Sequence, residues 1–163
     1  MKYFAYGSNM DINDLLQWCE TRKLSLSQFE LTGTAYIEGF RLSFNHYSKE
    51  RQGGVANIMP QHDPDNSDIR TYGLLFEIDN KTREIIRKKE GYPQDYDEIE
   101  LYVYLANGTT VKAMTYKVQK KMETVSEQKP TEYYLGLILS NARKNHFPQY
   151  YISFLESIDR QVK

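Results

Sequence analysis

Tyr3-Phe4-Ala5-Tyr6-Gly7-Ser8-Asn9-Met10-Asp11 lies near the start of the sequence and carries the pattern of a strand, a tight loop and a helix start. Residues 2–6 have the aromatic, apolar character of a strand, the Gly-Ser-Asn triplet breaks it, and Asp11 is placed to cap a helix. Behind Asp11, Asp14 occupies the acidic first turn, and Ile12, Leu15, Leu16 and Cys19 recur at helical spacing. A strand running through a tight loop into a helix leaves loop amides and first-turn N–H groups aimed at one small volume. That volume can hold an anion or an oxyanion. Gly7 lets the main chain approach such a ligand closely. Ser8 lacks the Gly-X-Ser-X-Gly frame of a nucleophile elbow, so backbone binding is the better reading of the loop.

Working outward, residues 29–37 and 40–47 read as two strands joined by a tight turn at Glu38-Gly39. In the second, Phe40, Leu42 and Phe44 alternate with Arg41, Ser43 and Asn45, which predicts one wet face. Gly53-Gly54 leads into a short strand, 55–59, ended by Pro60, and the polar stretch 61–70, with its acidic run 63–68, reads as an exposed loop. Residues 72–78 are apolar enough for a central strand. Asp79 or Asn80 caps a helix over 81–90, with Gly91 as its C′ residue. Strands 96–105 and 109–118 form a hairpin around Asn107-Gly108.

After a polar segment, two helices are expected over 131–144 and 148–162, the second presenting Tyr151, Phe154, Leu155, Ile158 and Val162 as a docking face. About seven strands with few helices between them imply an α+β fold with a curved or closed sheet, in a single domain over 1–163. The acidic run 63–68 and the tail helices are each either an interface or plain surface.

Bulk properties narrow the function. Charged residues make up 26% of the chain and the formal net charge is −1, so no global field draws it to nucleic acid or a membrane surface. No apolar run reaches spanning length, and Lys2 before a short apolar strand is no signal peptide. Cys19 is the single cysteine, which makes a reducing, cytoplasmic compartment the default. Fourteen tyrosines follow most simply from strand propensity; the alternative is a half-polar cavity lined by phenols.

Glu90 is the candidate acid/base. Ile85 and Ile86 are the bulky apolar residues of its helix and mark the buried face, and Ile86 lies four residues before Glu90, on the same side. An inward carboxylate has its pKa raised by desolvation toward the range useful for proton transfer; the bland alternative is one more charge on a solvated face. His46, His62 and His146 show no relay arrangement. Cys19 reads as core filler and Trp18 as packing. No cluster has metal-ligand spacing, and no dinucleotide or P-loop signature is present. Any chemistry is therefore expected to run on side chains and amides, without cofactor or metal.

These segments resemble, in order along nearly the whole chain, those of the γ-glutamylcyclotransferase family, the group that includes the AIG2-like proteins. Tyr3 to Met10 resembles the family's substrate loop, and Gly53-Gly54-Val55-Ala56-Asn57-Ile58 its Gly-Gly-apolar-Ala strand. Tyr72-Gly73-Leu74-Leu75-Phe76 is similar to the strand that follows, and Lys89-Glu90-Gly91 with Tyr96 to the segment bearing the acid/base glutamate. Pro130-Thr131-Glu132-Tyr133-Tyr134 is similar to a Pro-Ser-x-x-Tyr segment, with Thr in place of Ser; counting back from Pro148 favours Tyr134 over Tyr133 as the cavity tyrosine. Phe147-Pro148-Gln149-Tyr150-Tyr151 is similar to the start of the last helix.

The resemblance implies a small mixed β-barrel flanked by helices. It implies cyclisation of a small-molecule γ-glutamyl amide to 5-oxoproline, with Glu90 as acid/base. The amides of Gly7, Ser8, Asn9 and Met10 would hold a carboxylate or oxyanion, and Tyr6, Tyr96 and Tyr134 would line the cavity. A Tyr-Gly-Ser-Asn loop, in place of the Tyr-Gly-Thr-Leu of the γ-glutamylamine branch, favours γ-glutamyl amino acids as substrates. Two alternatives share the pocket: a binding module without turnover, and a cyclotransferase acting on a γ-glutamylamine or a biosynthetic γ-glutamyl intermediate.

Overall fold

In a computed structural model, which describes residues 1–61 and 69–162, the turn and periodicity signals resolve into strands and helices close to those expected. The strands are β1 (Lys2–Ala5), β2 (Phe29–Glu38), β3 (Phe40–Ser48), β4 (Gly53–Pro60), β5 (Arg70–Ile78), β6 (Tyr96–Leu105) and β7 (Thr110–Val118). The helices are α1 (Ile12–Glu20), α2 (Asn80–Glu90), α3 (Glu132–Lys144) and α4 (Gln149–Ser157).

Five strands close into a barrel in the order β1-β5-β2-β6-β7. β1 runs antiparallel to β5, with Tyr3 opposite Phe76 and Ala5 opposite Leu74. It closes the barrel by meeting β7 in parallel at Tyr3 and Met114, where the Thr115 hydroxyl donates to the Phe4 carbonyl at 2.7 Å. The remaining pairings in the barrel are antiparallel, so the barrel is mixed, as expected. Phe4, Leu75, Ile78, Val103 and Leu135 are fully buried in its core, each contributing about 2 kcal/mol over an exposed position.

Local chemistry fixes α2, the helix that matters most for function. The Asp79 carboxylate accepts from Thr82 N at 2.9 Å as N-cap, and Gly91 ends the helix in the left-handed region at φ 65°, which a residue with Cβ adopts only under strain. Ile85 and Ile86 are both buried. Ile86 joins the main core, whereas Ile85 packs with Leu15 and Cys19 of α1.

Four expectations require correction. β2 and β3 are not a hairpin: β2 pairs with β5 and β6, β3 pairs with β4 in a separate two-stranded sheet, and the chain leaves the barrel at Gly39. The polar face of β3 is wet only at Arg41, which is exposed, because Ser43 and Asn45 are buried. A segment of residues 124–128 lies along that strand, with Thr124 N donating to Asn45 O and Gln128 N to Phe44 O, while Glu127 accepts from the Ser43 hydroxyl.

The apolar stripe of α1 is only partly covered. Leu15 and Cys19 are buried, but Ile12 and Leu16 are exposed, and Asp14 goes inward instead. Finally, α4 stops at Ser157. Gln161 N turns back to bond Pro130 O, so Val162 stands in solvent rather than on the docking face. The expected acidic run 63–68 and His62 lie outside the described residues. Among the described residues no helix is long and apolar enough to cross a membrane.

Candidate functional site

After β1 the chain makes a 3-10 turn over Ser8–Met10. Met10 N closes it on Gly7 O at 3.1 Å, and Asp11 N bonds Ser8 O at 2.9 Å. Asp11 then caps α1, accepting from Asp14 N at 3.0 Å, and its other oxygen accepts from the Asn141 side chain of α3 at 2.9 Å. Among the described residues the amides of Gly7, Ser8 and Asn9 donate to no protein acceptor. Met10 differs from the expectation: its amide is spent on the turn, its side chain is buried in the core, and it does not line the cavity. Gly7 sits hard against the neighbouring elements, since a Cβ there would lie 3.2 Å from Ala56 Cβ and 3.3 Å from the Tyr134 hydroxyl.

The loop and the end of α2 meet. Asn9 Nδ2 donates to Glu90 Oε1 at 2.6 Å and to the Tyr3 hydroxyl at 3.0 Å. Burial raises Glu90 above the usual carboxylate range, with Lys89, the Asn9 hydrogen bond and Arg51 working the other way. Lys89 also turns inward, 2.5 Å from Asn9 Oδ1, and burial lowers its pKa despite Glu90 and Asp14.

Behind them Arg51 grips Asp14 with two hydrogen bonds of 2.9 and 2.6 Å, a bidentate geometry that guanidinium and carboxylate favour. Burial acts to raise Asp14, but the Arg51 hydrogen bonds and the Lys89 charge prevail and hold it below the usual carboxylate range.

Tyrosines build the walls. The Tyr134 hydroxyl accepts from Ala56 N at 3.0 Å, and the Tyr96 hydroxyl donates to Ala56 O at 3.1 Å, so one residue of β4 is held from two sides. Tyr6 donates to Tyr116 O at 2.5 Å. Burial pushes Tyr134 up to about 12 and raises Tyr3, Tyr6 and Tyr96 well above the ordinary phenol value, so all four are neutral donors and acceptors at physiological pH. The resulting cavity encloses about 470 Å³, room for a ligand of dipeptide size. Tyr3, Tyr47, Tyr96 and Tyr116 are both strand residues and cavity lining.

Glu90, Tyr6, Gly7, Ser8, Asn9, Tyr96 and Tyr134 all line this one cavity, and of the expected set only Met10 is excluded. Tyr133 is exposed and lies outside the cavity lining, whereas Tyr134 is part of it. Sequence reasoning missed Lys89, Arg51, Asp14, Tyr3 and His46, although Asp14 alone of these does not reach the cavity surface. His46 Nδ1 lies 3.2 Å from Met122 O, with its ring edge-on to Tyr96. Lys89 could have been found: Ile85 lies four residues before it, the same spacing that turned Glu90 inward. Among the described residues no three His, Cys, Asp or Glu side chains gather as metal ligands would. A carboxylate whose pKa is raised by burial can move a proton, and the unpaired amides beside it can stabilise a developing oxyanion.

Comparison with known proteins bears on the family and the fold. The model of the AIG2-like family matches residues 70–155, a span holding Glu90, Tyr96 and Tyr134. No curated protein matches the sequence. Among solved structures, one named gamma-glutamyl cyclotransferase aligns with a TM-score of 0.81 at 20% identity, over 99% of this chain and 89% of that one. YkqA from Bacillus subtilis aligns at 0.73 and 21%, over 99% of this chain and 56% of that one. A yeast cyclotransferase described as specific to glutathione aligns at 0.56 and 14%, over 95% and 93%. At these identities the likeness establishes the fold, an α+β barrel of the γ-glutamylcyclotransferase type.

Proposed function

Because the chain belongs to the AIG2-like family, we propose that it is a γ-glutamylcyclotransferase acting on γ-glutamyl amino acids. The substrate's α-amine attacks its own γ-carbonyl carbon, a five-membered ring closes, and the amide C–N bond breaks to release 5-oxoproline and an amino acid. The reaction is intramolecular, so rate is gained largely by holding the substrate folded in an attack-ready shape. Two barriers remain: the amine is protonated at neutral pH, and the attacked carbonyl becomes an oxyanion.

In this reading Glu90 takes a proton from the α-ammonium and delivers it to the leaving nitrogen; the second proton, which the attacking nitrogen sheds on becoming the lactam N–H, passes through the same carboxylate to the released amine, so that Glu90 ends the cycle as it began. Its raised pKa suits it to both transfers. The amides of Gly7, Ser8 and Asn9 receive the α-carboxylate or the developing oxyanion; a preorganised donor of this kind contributes about 3 kcal/mol. Met10, its amide already bonded, has no such part. Tyr6, Tyr96 and Tyr134 orient the substrate as neutral phenols.

The observation that most supports the reading is the 2.6 Å hydrogen bond from Asn9 to Glu90, since it joins the proton-transfer group to the anion-binding loop. The test is release of 5-oxoproline from a panel of γ-glutamyl amides. Turnover should be lost by about 100-fold or more in Glu90→Gln with the fold intact. Tight binding without product, or an active Glu90→Gln protein, would sink the proposal.

A further inference from the structure

We infer that Lys89 is a positioning residue. Its ammonium locks the Asn9 side-chain amide with NH2 toward Glu90, leaving Glu90 Oε2 as the oxygen that exchanges protons with substrate. The inference rests on the cyclotransferase reading and deepens it.

Lys89 has three donors and three acceptors within reach: Asn9 Oδ1 at 2.5 Å, Ser8 Oγ at 3.4 Å and Asp14 Oδ2 at 3.4 Å. Its side chain is 7% exposed, and with its donors committed it acts through Asn9 rather than on substrate. Asn9 is itself buried and has one productive orientation. Flipping its amide would set Oδ1 against the Glu90 carboxylate and NH2 against the Lys89 ammonium, two repulsive contacts in a low-dielectric site.

In the observed orientation Nδ2 reaches Glu90 Oε1 at 2.6 Å and the Tyr3 hydroxyl at 3.0 Å. Among the described residues Glu90 Oε2 receives no hydrogen bond. One carboxylate oxygen is therefore pinned and the other is open.

The groups around the pair are consistent with this role. Lys89 faces Glu90, Asp14 and Arg51, with the Cys19 thiol of α1 nearby. Glu90 faces Lys89 and Arg51, together with Tyr3, Tyr6, Tyr96, Tyr116 and Tyr134. The phenols stay neutral, and Arg51 is bonded to Asp14 by two hydrogen bonds. Lys89 is thus the cation that both balances Glu90 and orients its partner.

The experiment uses the full chain and the Lys89→Met and Lys89→Arg variants, with two readouts. The first, which needs no substrate, is NMR titration of the Glu90 side-chain carboxyl together with the Asn9 side-chain amide signals. Lys89→Met should move the Glu90 midpoint upward and bring the Asn9 side-chain amide protons to the shifts and solvent-exchange rates of a free carboxamide; Lys89→Arg should restore both. The second is 5-oxoproline release across pH. Lys89→Met should lower kcat by about tenfold or more, shift the acid limb of kcat/KM to higher pH, and leave KM nearly unchanged.

An unchanged Glu90 titration in folded Lys89→Met would overturn the inference, as would a raised KM with unaltered kcat, which would make Lys89 a substrate ligand. Should Lys89→Met fail to fold, Lys89→Gln is judged on the same criteria. Absence of 5-oxoproline from the unmutated chain would refute the cyclotransferase reading alone, and the NMR titration would still decide the role of Lys89.

Discussion

Asp14→Asn tests the electrostatic frame behind the cavity. The substitution keeps the side chain's size but removes the charge that Arg51 holds through two hydrogen bonds and that Lys89 approaches at 3.4 Å. Breaking a fully buried ion pair by removing one partner costs about 3–5 kcal/mol. Here Asp14 is 5% exposed but Arg51 keeps 20% of its side chain accessible, so water can resolvate the guanidinium and a loss of about 2–3 kcal/mol is expected. With an m-value of about 2 kcal/mol/M, the urea midpoint should fall by roughly 1–1.5 M.

Trp18, the single tryptophan, lies one helical turn after Asp14 and gives the fluorescence signal, with far-UV circular dichroism as a second probe. The sign of the pH dependence follows from Asp14 being held below its unfolded value of 3.8. Its contribution is fully present above that value and is lost as pH falls through the folded one. The gap between the two proteins should therefore hold constant from about pH 7 to about pH 5 and close only below about pH 4. A gap under about 0.5 kcal/mol at neutral pH, or one that closes near pH 6, would refute the argument.

Three further outcomes are expected. Glu90 has the opposite linkage: burial raises its folded pKa above the unfolded value of 4.5, so its ionisation costs stability as pH rises through that interval. Glu90→Gln should then gain about 1 kcal/mol at pH 8 and nothing below pH 4, read from Tm against pH; a loss at pH 8 would contradict it. Tyr134→Phe leaves the Ala56 amide buried without an acceptor, which should cost about 1–3 kcal/mol and speed hydrogen exchange at Ala56. Gly7→Ala forces a methyl to within 3.2 Å of Ala56 Cβ. Stability should drop by about 1 kcal/mol while kcat/KM falls disproportionately, up to about 100-fold, because the loop amides move with the backbone.

What could be read from the chain alone depended on how local each signal was. The β6–β7 hairpin was legible because Asn107-Gly108 specifies its turn, and α2 because its caps and its Ile85-Ile86 face lie within a dozen residues. Glu38-Gly39 reads equally as a tight turn, yet the partners of β2 are β5 and β6, residues far downstream that a local pattern cannot nominate. Ser43 and Asn45 read as solvent-facing because their partners, Glu127 and Asn57, are remote in sequence. Asp14 and Arg51 were opaque for the same reason, since an isolated charge reads as surface until its counter-ion is known. Lys89 is the instructive case: the helical spacing that exposed the role of its neighbour applied to it equally.

The parallel seam between β1 and β7 bears on biosynthesis. The Thr115 hydroxyl that stitches it to Phe4 comes from a residue 111 positions later, so β1, synthesised well before β7, waits long for its second neighbour. Until then the Gly7-Ser8-Asn9 turn hangs from an unpaired edge, which invites chaperone capture or aggregation. A nascent or truncated chain would accordingly lack the closed cavity, which would form abruptly when the last stave docks.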